Sequence, residues 1–294
     1  VYKRQLPALG RKKLHEVDVR RVEGFKTKLL CDVGPKTANN VLTVLRKMLS
    51  WAVEVGELEQ VPAIKLCKVP PQGFDWLDFE PFEQLVSATL ARQDQLGLAV
   101  LLAGEAGLRR GEVAGLQWKD INFRFGAHGQ LQVLRAIWEG KEQAPKGGRS
   151  RVVPLTRRLS TALKEQRHLR APYVLARPDG ALWTKETFRW RGDKVYRLAG
   201  LEQPSMPWHA LRHTFCSLLA MRGASPKAIQ ELAGHVDLST TMRYMHLAPR
   251  VLGDAISLLD ADEHGHSTDP QPPKRQNPLR ASSRGGFESD PTGN

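Results

Sequence analysis

Apolar residues recur along most of this chain at intervals of three and four, the spacing that places them on one face of an α-helix. Between residues 14 and 63 the pattern is helical. Val17, Val19, Val22 and Phe25 precede a break at Asp32-Val33-Gly34-Pro35. A second helix is expected over 37–55, with Val41, Leu42, Leu45, Met48, Leu49 and Ala52 on its apolar stripe and Gly56 as its stop. Two or three short helices bury little, so this stretch reads as a small domain or the remnant of one. Pro62, Pro70, Pro71 and Gly73 then interrupt regular structure.

Regular patterning resumes near Leu77. Helices are expected at 79–91, 95–106, 110–116, 157–168, 184–198, 208–222, 226–233, 239–246 and 249–260. Short strands are expected at 121–126, 131–137 and 151–155, with Gly126, Gly129 and Gly147-Gly148 at the turns. Pro154 cannot donate to a ladder, so the last strand should lie at a sheet edge. The residues beyond 263 hold almost no large apolar side chains, a composition that cannot bury enough surface to order itself. The domains expected are a helical one at 1–65, a linker at 66–76, a larger mixed domain at 77–262 and a disordered tail at 263–294.

Composition narrows the class. The 294 residues are 41% hydrophobic and 26% charged, as in a soluble globular protein. No apolar run approaches the ~20 residues that span a bilayer, and no secretory signal opens the chain, so a cytoplasmic setting is expected. A net charge of +13, from 44 Lys+Arg against 31 Asp+Glu, draws in polyanions. Lys26, Lys28, Lys36, Arg46 and Lys47 could follow a nucleic-acid backbone or could simply be a solvated face. Cys31, Cys67 and Cys216 are too few and too scattered for a zinc or disulfide framework, and read as small buried hydrophobes. The opening Val1-Tyr2-Lys3-Arg4-Gln5 matches one frame of a transposon-adapter sequence used in library preparation, so the reading frame is expected to be truncated upstream.

Four segments carry candidate chemistry. In His209-Ala210-Leu211-Arg212-His213 the helical spacing brings His209 and Arg212 to one face. His213 lies four residues from His209, but the glutamate of a zinc-protease helix is missing, so a metal pair is disfavoured. The others are Gly107-Leu108-Arg109-Arg110-Gly111-Glu112, Leu232-Ala233-Gly234-His235 and Thr240-Thr241-Met242-Arg243-Tyr244-Met245-His246. Each alone is read more simply, as solvent-facing arginines, a helix end or a packed tyrosine.

Taken in order, Arg109, His209, Arg212, His235 and Tyr244 resemble the tyrosine recombinase (phage integrase) family. Arg212 and His235 stand 23 residues apart, and His235 and Tyr244 nine apart, as in that family. Lys146-Gly147-Gly148-Arg149-Ser150-Arg151-Val152-Val153-Pro154-Leu155 is similar to its hairpin lysine segment, and the likeness covers about residues 14–260. The resemblance implies a mainly α protein with a small antiparallel β-sheet. It would join an N-terminal helical, SAM-like core-binding domain to an α+β catalytic domain of the DNA breaking-rejoining enzyme fold.

The resemblance also implies chemistry. Tyr244 would attack a DNA phosphate to give a 3′-phosphotyrosyl link, with Arg109 and Arg212 clamping the phosphate. His209 and His235 would donate hydrogen bonds or handle protons, and Lys146, rather than Lys141, would protonate the leaving oxygen. Glu112 would orient the arginine and histidine, and neighbouring cations would ease deprotonation of the tyrosine. His213 and Arg110 are left as supporting or surface residues, while Arg243 and His246 either touch DNA or are structural. No metal, ATP or other cofactor is implied.

Implied partners are double-stranded DNA recombination sites, a homotetramer assembled on them, and an accessory DNA-bending or directionality factor. The last helix, carrying Val251, Leu252, Ala255, Ile256 and Leu259, would pack either on its own chain or on a neighbour. The alternatives are a type IB topoisomerase-like relaxing enzyme, a non-catalytic recombinase-derived DNA-binding protein and a metal-dependent nuclease.

Overall fold

The computed structural model describes residues 4–70, 73–92, 94–248 and 256. The first three residues, the tail beyond 263 and all but Ile256 of the expected last helix lie outside the described residues. The chain divides into two compact units, Val1–Phe74 and Asp75–Asn294.

The first unit is built on three helices, α1 (Gln5–Leu9), α2 (Val19–Asp32) and α3 (Pro35–Glu54). The Asp18 side chain caps α2 by accepting the Arg21 N–H at 2.8 Å. Pro35 opens α3, where its missing N–H costs nothing. Val22, Phe25 and Leu29 of α2 meet Ala38, Leu42, Leu45 and Leu49 of α3, with Val17 and Ile64 closing the cluster. Asn39 then fastens the following segment by exchanging hydrogen bonds with the Cys67 backbone, at 2.8 and 2.9 Å. Two expectations change here. Met48 is 44% exposed, because the buried stripe runs through Leu42, Leu45, Leu49 and Ala52 instead. Cys31 is exposed and Cys67 half-buried, so only Cys216 is a buried thiol.

The second unit surrounds α5 (Gln95–Gly104), whose residues from Leu96 onward are all buried. A helix apolar on every side belongs inside a core. Around it lie α4 (Phe79–Leu90), α6 (Arg110–Gly115), α7 (Arg157–Glu165), α8 (Lys185–Leu198) and α9 (Pro207–Met221). Asp78, Asp94, Thr156 and Thr184 cap α4, α5, α7 and α8 with their side chains. Arg158 bridges Glu83 and Glu105, joining α7 to α4 and to the end of α5. Two shorter helices, α10 (Pro226–Ala233) and α11 (Leu238–Met242), complete the unit.

The strands form two small antiparallel sheets: β1 (Ile121–Asn122), β2 (Gln130–Val133) and β5 (Arg151–Pro154) in the order β1-β2-β5, and β3 (Ala136–Trp138) with β4 (Lys141–Gln143). Pro154 does sit on an edge strand. The single strand expected at 131–137 is broken after Val133. Arg135 turns there to pair with Asp120 and with Glu142 at 3.2 Å, and β3 sets off in a separate ribbon against β4. Every β4 residue is exposed, so no apolar alternation marked it. The helix expected over 239–246 stops at Met242, leaving Tyr244 between α11 and a 3₁₀ turn at Met245–Leu247.

Burial predicts where stability resides. Leu102→Ala, at a fully buried position of α5, should lower the unfolding free energy by about 2–5 kcal/mol. Leu169→Ala, at a 97% exposed position, should change it by less than about 0.5 kcal/mol. Urea denaturation followed by tryptophan fluorescence measures both.

Candidate active site

Arg109 is the residue that precedes α6, and its place is set from three directions. Its backbone N–H donates to Glu112 Oε2 at 2.9 Å, its Nη1 to Glu112 Oε1 at 2.9 Å, and its Nη2 to the Gly234 carbonyl at 3.0 Å. Glu112, 1% exposed, also receives Arg151 Nη1 and Nη2 at 3.1 and 2.7 Å. Burial works against the carboxylate, but the hydrogen bonds and charges of Arg151 and Arg109 outweigh it and hold the pKa down to about 2. Arg151 Nε reaches the Leu232 carbonyl at 2.8 Å, tying β5 to the end of α10.

Two glycines make this packing feasible. Gly234 ends α10 at φ 66°, and a Cβ there would fall 2.9 Å from Arg151 Cδ. Gly107, at φ 63°, lies flat against the Phe215 ring, where a Cβ would come within 2.4 Å. Its carbonyl accepts from Arg212 Nη1.

Arg212, on α9, is 2% exposed, and its Nη2 is a buried donor with no hydrogen-bond partner among the described residues. Burial and the adjacent Arg109 bring its pKa down to about 10. His209, one turn earlier, is exposed at the rim. Partial withdrawal from water and the charges of Arg212, Arg109, Lys146 and Arg243 lower its pKa. Lys146 is exposed on the turn between β4 and β5, closed by a 2.8 Å bond from Gly148 N–H to the Pro145 carbonyl.

His235 follows the glycine end of α10 and shares a 2.8 Å hydrogen bond between Nδ1 and the buried Thr241 hydroxyl. Its ring lies parallel to that of Tyr244, with centroids 6.1 Å apart and planes 7° apart. Burial, then Arg212, Arg109 and Arg151, push its pKa down to about 3. Tyr244 is 3% exposed. Its hydroxyl lies 2.6 Å from His213 Nδ1 and hydrogen-bonds the Cys216 thiol. Burial pushes the phenol pKa up and the Cys216 thiol, itself buried, is raised to about 11. Easier deprotonation of the tyrosine is therefore not found in this state. Arg212 and Arg243 do favour the phenolate, but loss of water outweighs them.

The folded chain thus gathers Arg109, Glu112, His209, Arg212, His235 and Tyr244, with Lys146 close enough for its charge to act on His209. Three further residues belong to the cluster. His213, left unassigned in sequence, contacts the Tyr244 hydroxyl. Its ring packs 4.3 Å from that of His209, and burial with the charges around it brings its pKa to about 3. Its position one residue after Arg212 was the available signal. Arg151 carried none beyond its place in the Lys146–Leu155 segment, and Cys216 none beyond its apolar surroundings. Arg110 lines a separate pocket with Trp138, Trp183 and Lys185.

The arrangement is a cationic, partly dehydrated pocket with an unpartnered guanidinium donor and a tyrosine hydroxyl, suited to an anion that receives several hydrogen bonds. Residues 75–250 match the Phage integrase family. The tyrosine recombinase XerD of Pseudomonas putida is 33% identical over 230 residues, covering 73% of this chain and 72% of its own length. The XerD of Listeria innocua is 28% identical over 240 residues, 75% of each chain. The integrase of transposon Tn1549, solved in complex with transposon right end DNA, matches with a TM-score of 0.70 at 19% identity, spanning 88% of this chain and 92% of that one. The XerH site-specific recombinase bound to difH substrate matches at 0.64 and 20%, spanning 83% and 71%. These structural likenesses establish the fold class, that of tyrosine recombinase chains. By the family match and the sequence relatives together, the chain belongs to the phage integrase family.

The depressed pKa values predict acid sensitivity in two steps. His213 and His235 are held neutral well below the ordinary value of 6.5. The unfolded chain therefore binds more protons, and stability should fall as the pH drops from about 6.5 towards 3. Glu112, lowered from 4.5 to about 2, should contribute ~3 kcal/mol that is present above pH 4.5 and lost as pH falls through 2. Thermal midpoints against pH check this: His213→Asn and His235→Gln should flatten the first decline, and Glu112→Gln the second.

Proposed function

We propose that this chain is a site-specific DNA recombinase of the integrase type, cutting and rejoining strands through a covalent 3′-phosphotyrosyl intermediate. The observation that carries the proposal is the buried, unpartnered Nη2 of Arg212, set among Arg109, His209 and His235 and beside Tyr244. A guanidinium donor kept out of water without a partner costs free energy, and a phosphate oxygen would satisfy it.

In this reading Arg109 and Arg212 bind the non-bridging oxygens and stabilise the charge that grows on them. Tyr244 Oη passes its proton to His213 Nδ1 and forms a bond to phosphorus as the bond to the 5′ oxygen breaks, and Lys146 supplies the proton that oxygen needs. His213 Nδ1 stands within proton-transfer reach of the phenol and is neutral near pH 7. His209 and His235 donate to the phosphate, and Glu112 orients Arg109. The bond energy is kept in the phosphotyrosyl link, so rejoining needs no ATP. Tyr244 is covered in the free chain, so it must move outward to meet the phosphate.

Binding to double-stranded recombination sites, assembly of four protomers and strand exchange through a Holliday junction complete the proposal, with the helices of the first unit as a core-binding module. A directionality or DNA-bending factor would act on that assembly.

The test uses nicked duplexes tiled across the DNA that flanks the coding frame. One of them should yield a denaturation-resistant protein–DNA adduct that survives EDTA and disappears in Tyr244→Phe. Arg212→Lys should slow adduct formation by about 10²-fold or more, since an ammonium cannot replace a planar pair of donors. Binding should weaken steeply with salt as phosphate contacts release counterions. No adduct on any duplex, or one that persists in Tyr244→Phe, overturns the proposal.

A further inference from the structure

Arg151 opens β5 with its side chain only 7% exposed. Its guanidinium donates to both oxygens of Glu112 and to the Leu232 carbonyl. Each of these acceptors belongs to an anchor that also holds Arg109. Glu112 Oε1 receives Arg109 Nη1, and the Gly234 carbonyl, two residues beyond Leu232, receives Arg109 Nη2. Arg151 therefore grips both supports of the Arg109 guanidinium.

We infer that Arg151 is a positioning residue for strand transfer, locking Glu112 and the end of α10 in the register that aims Arg109 at the scissile phosphate. The inference rests on the recombinase reading above. An arginine is required because the three bonds leave one planar fork in three directions, two to one carboxylate and one to a carbonyl on another element. Lysine offers a single charged nitrogen and cannot reach all three. An apolar residue would leave the Glu112 carboxylate buried against Arg109, with Arg212 on α9 as a further group that its charge acts on.

The lock extends to the lysine turn. Arg151 follows Lys146 by five residues, and Gly147 abuts Val236 so closely that a Cβ would fall 2.5 Å from its Cγ2. The α10 end that Arg151 fastens thus leads directly into the surface on which the Lys146 turn rests. One buried side chain sets the registry of the first arginine and of the lysine.

The test compares the unaltered chain with Arg151→Lys, Arg151→Met, Glu112→Gln and the Arg151→Met/Glu112→Gln pair on the duplex that captures its adduct. Arg151→Lys should keep the wild-type circular dichroism and bind that duplex within twofold. Its single-turnover adduct rate at saturating DNA should fall about 10- to 100-fold. The two single changes at Met and Gln should cost about as much as the pair, because they break one unit. Without DNA, the Arg109 guanidinium protons should give slowly exchanging, dispersed nitrogen-correlated resonances in the wild type that average in Arg151→Lys. An Arg151→Lys rate within twofold of wild type, unchanged Arg109 resonances, or losses that multiply in the pair would overturn the inference. If the wild type forms no adduct, the recombinase reading falls, and the Arg109 resonances alone then decide whether Arg151 positions it.

Discussion

The site depends on one buried carboxylate. Glu112 is 1% exposed and is held by two guanidinium groups that arrive from different elements, Arg109 at the start of α6 and Arg151 at the start of β5. A lone buried carboxylate would be protonated or excluded, because its desolvation is expensive. With both arginines present it stays ionised, and in return it fixes their planes. The same arginines then reach past it to the Gly234 and Leu232 carbonyls. Through one acid group, α6, β5 and α10 acquire a common registry, and the histidine that follows α10 is carried into place.

Around that anchor burial and positive charge together shift the ionisation of the histidines, Arg212 and Tyr244. Arg212, His209, His213 and His235 all have lowered pKa values, since each is partly removed from water among like charges. Tyr244 is pushed the other way by the same loss of water. The free chain thus stores a surplus of positive potential around a protonated phenol. A phosphate diester would raise the basicity of the histidines and satisfy the guanidinium donor of Arg212. The pocket is arranged for an anion more than for any neutral ligand.

Much of the fold was legible because its signals are local. The periodicity of α4, α8, α9 and α10 acts over a few residues and needs no tertiary partner. The failures have physical causes of their own. β4 is polar on both faces, so alternation could not mark it, and the break at Arg135 answers to ion pairs with Asp120 and Glu142 that lie elsewhere in the chain. Met48 and Leu49 are adjacent and equally apolar, yet the packing of α2 buries only the second.

For the site, residue type and order determined the candidates. A tyrosine nine residues after His235, an arginine–histidine pair on one helix and a glycine-flanked lysine are chemical facts of the chain that no folding can change. What tertiary structure decided is their state. Only packing could bury Tyr244 against His213 and Cys216, leave Arg212 Nη2 without a partner, and recruit Arg151 to Glu112. Those outcomes rest on desolvation and on contacts between residues 28 to 105 positions apart, quantities that exist only once the chain has closed on itself.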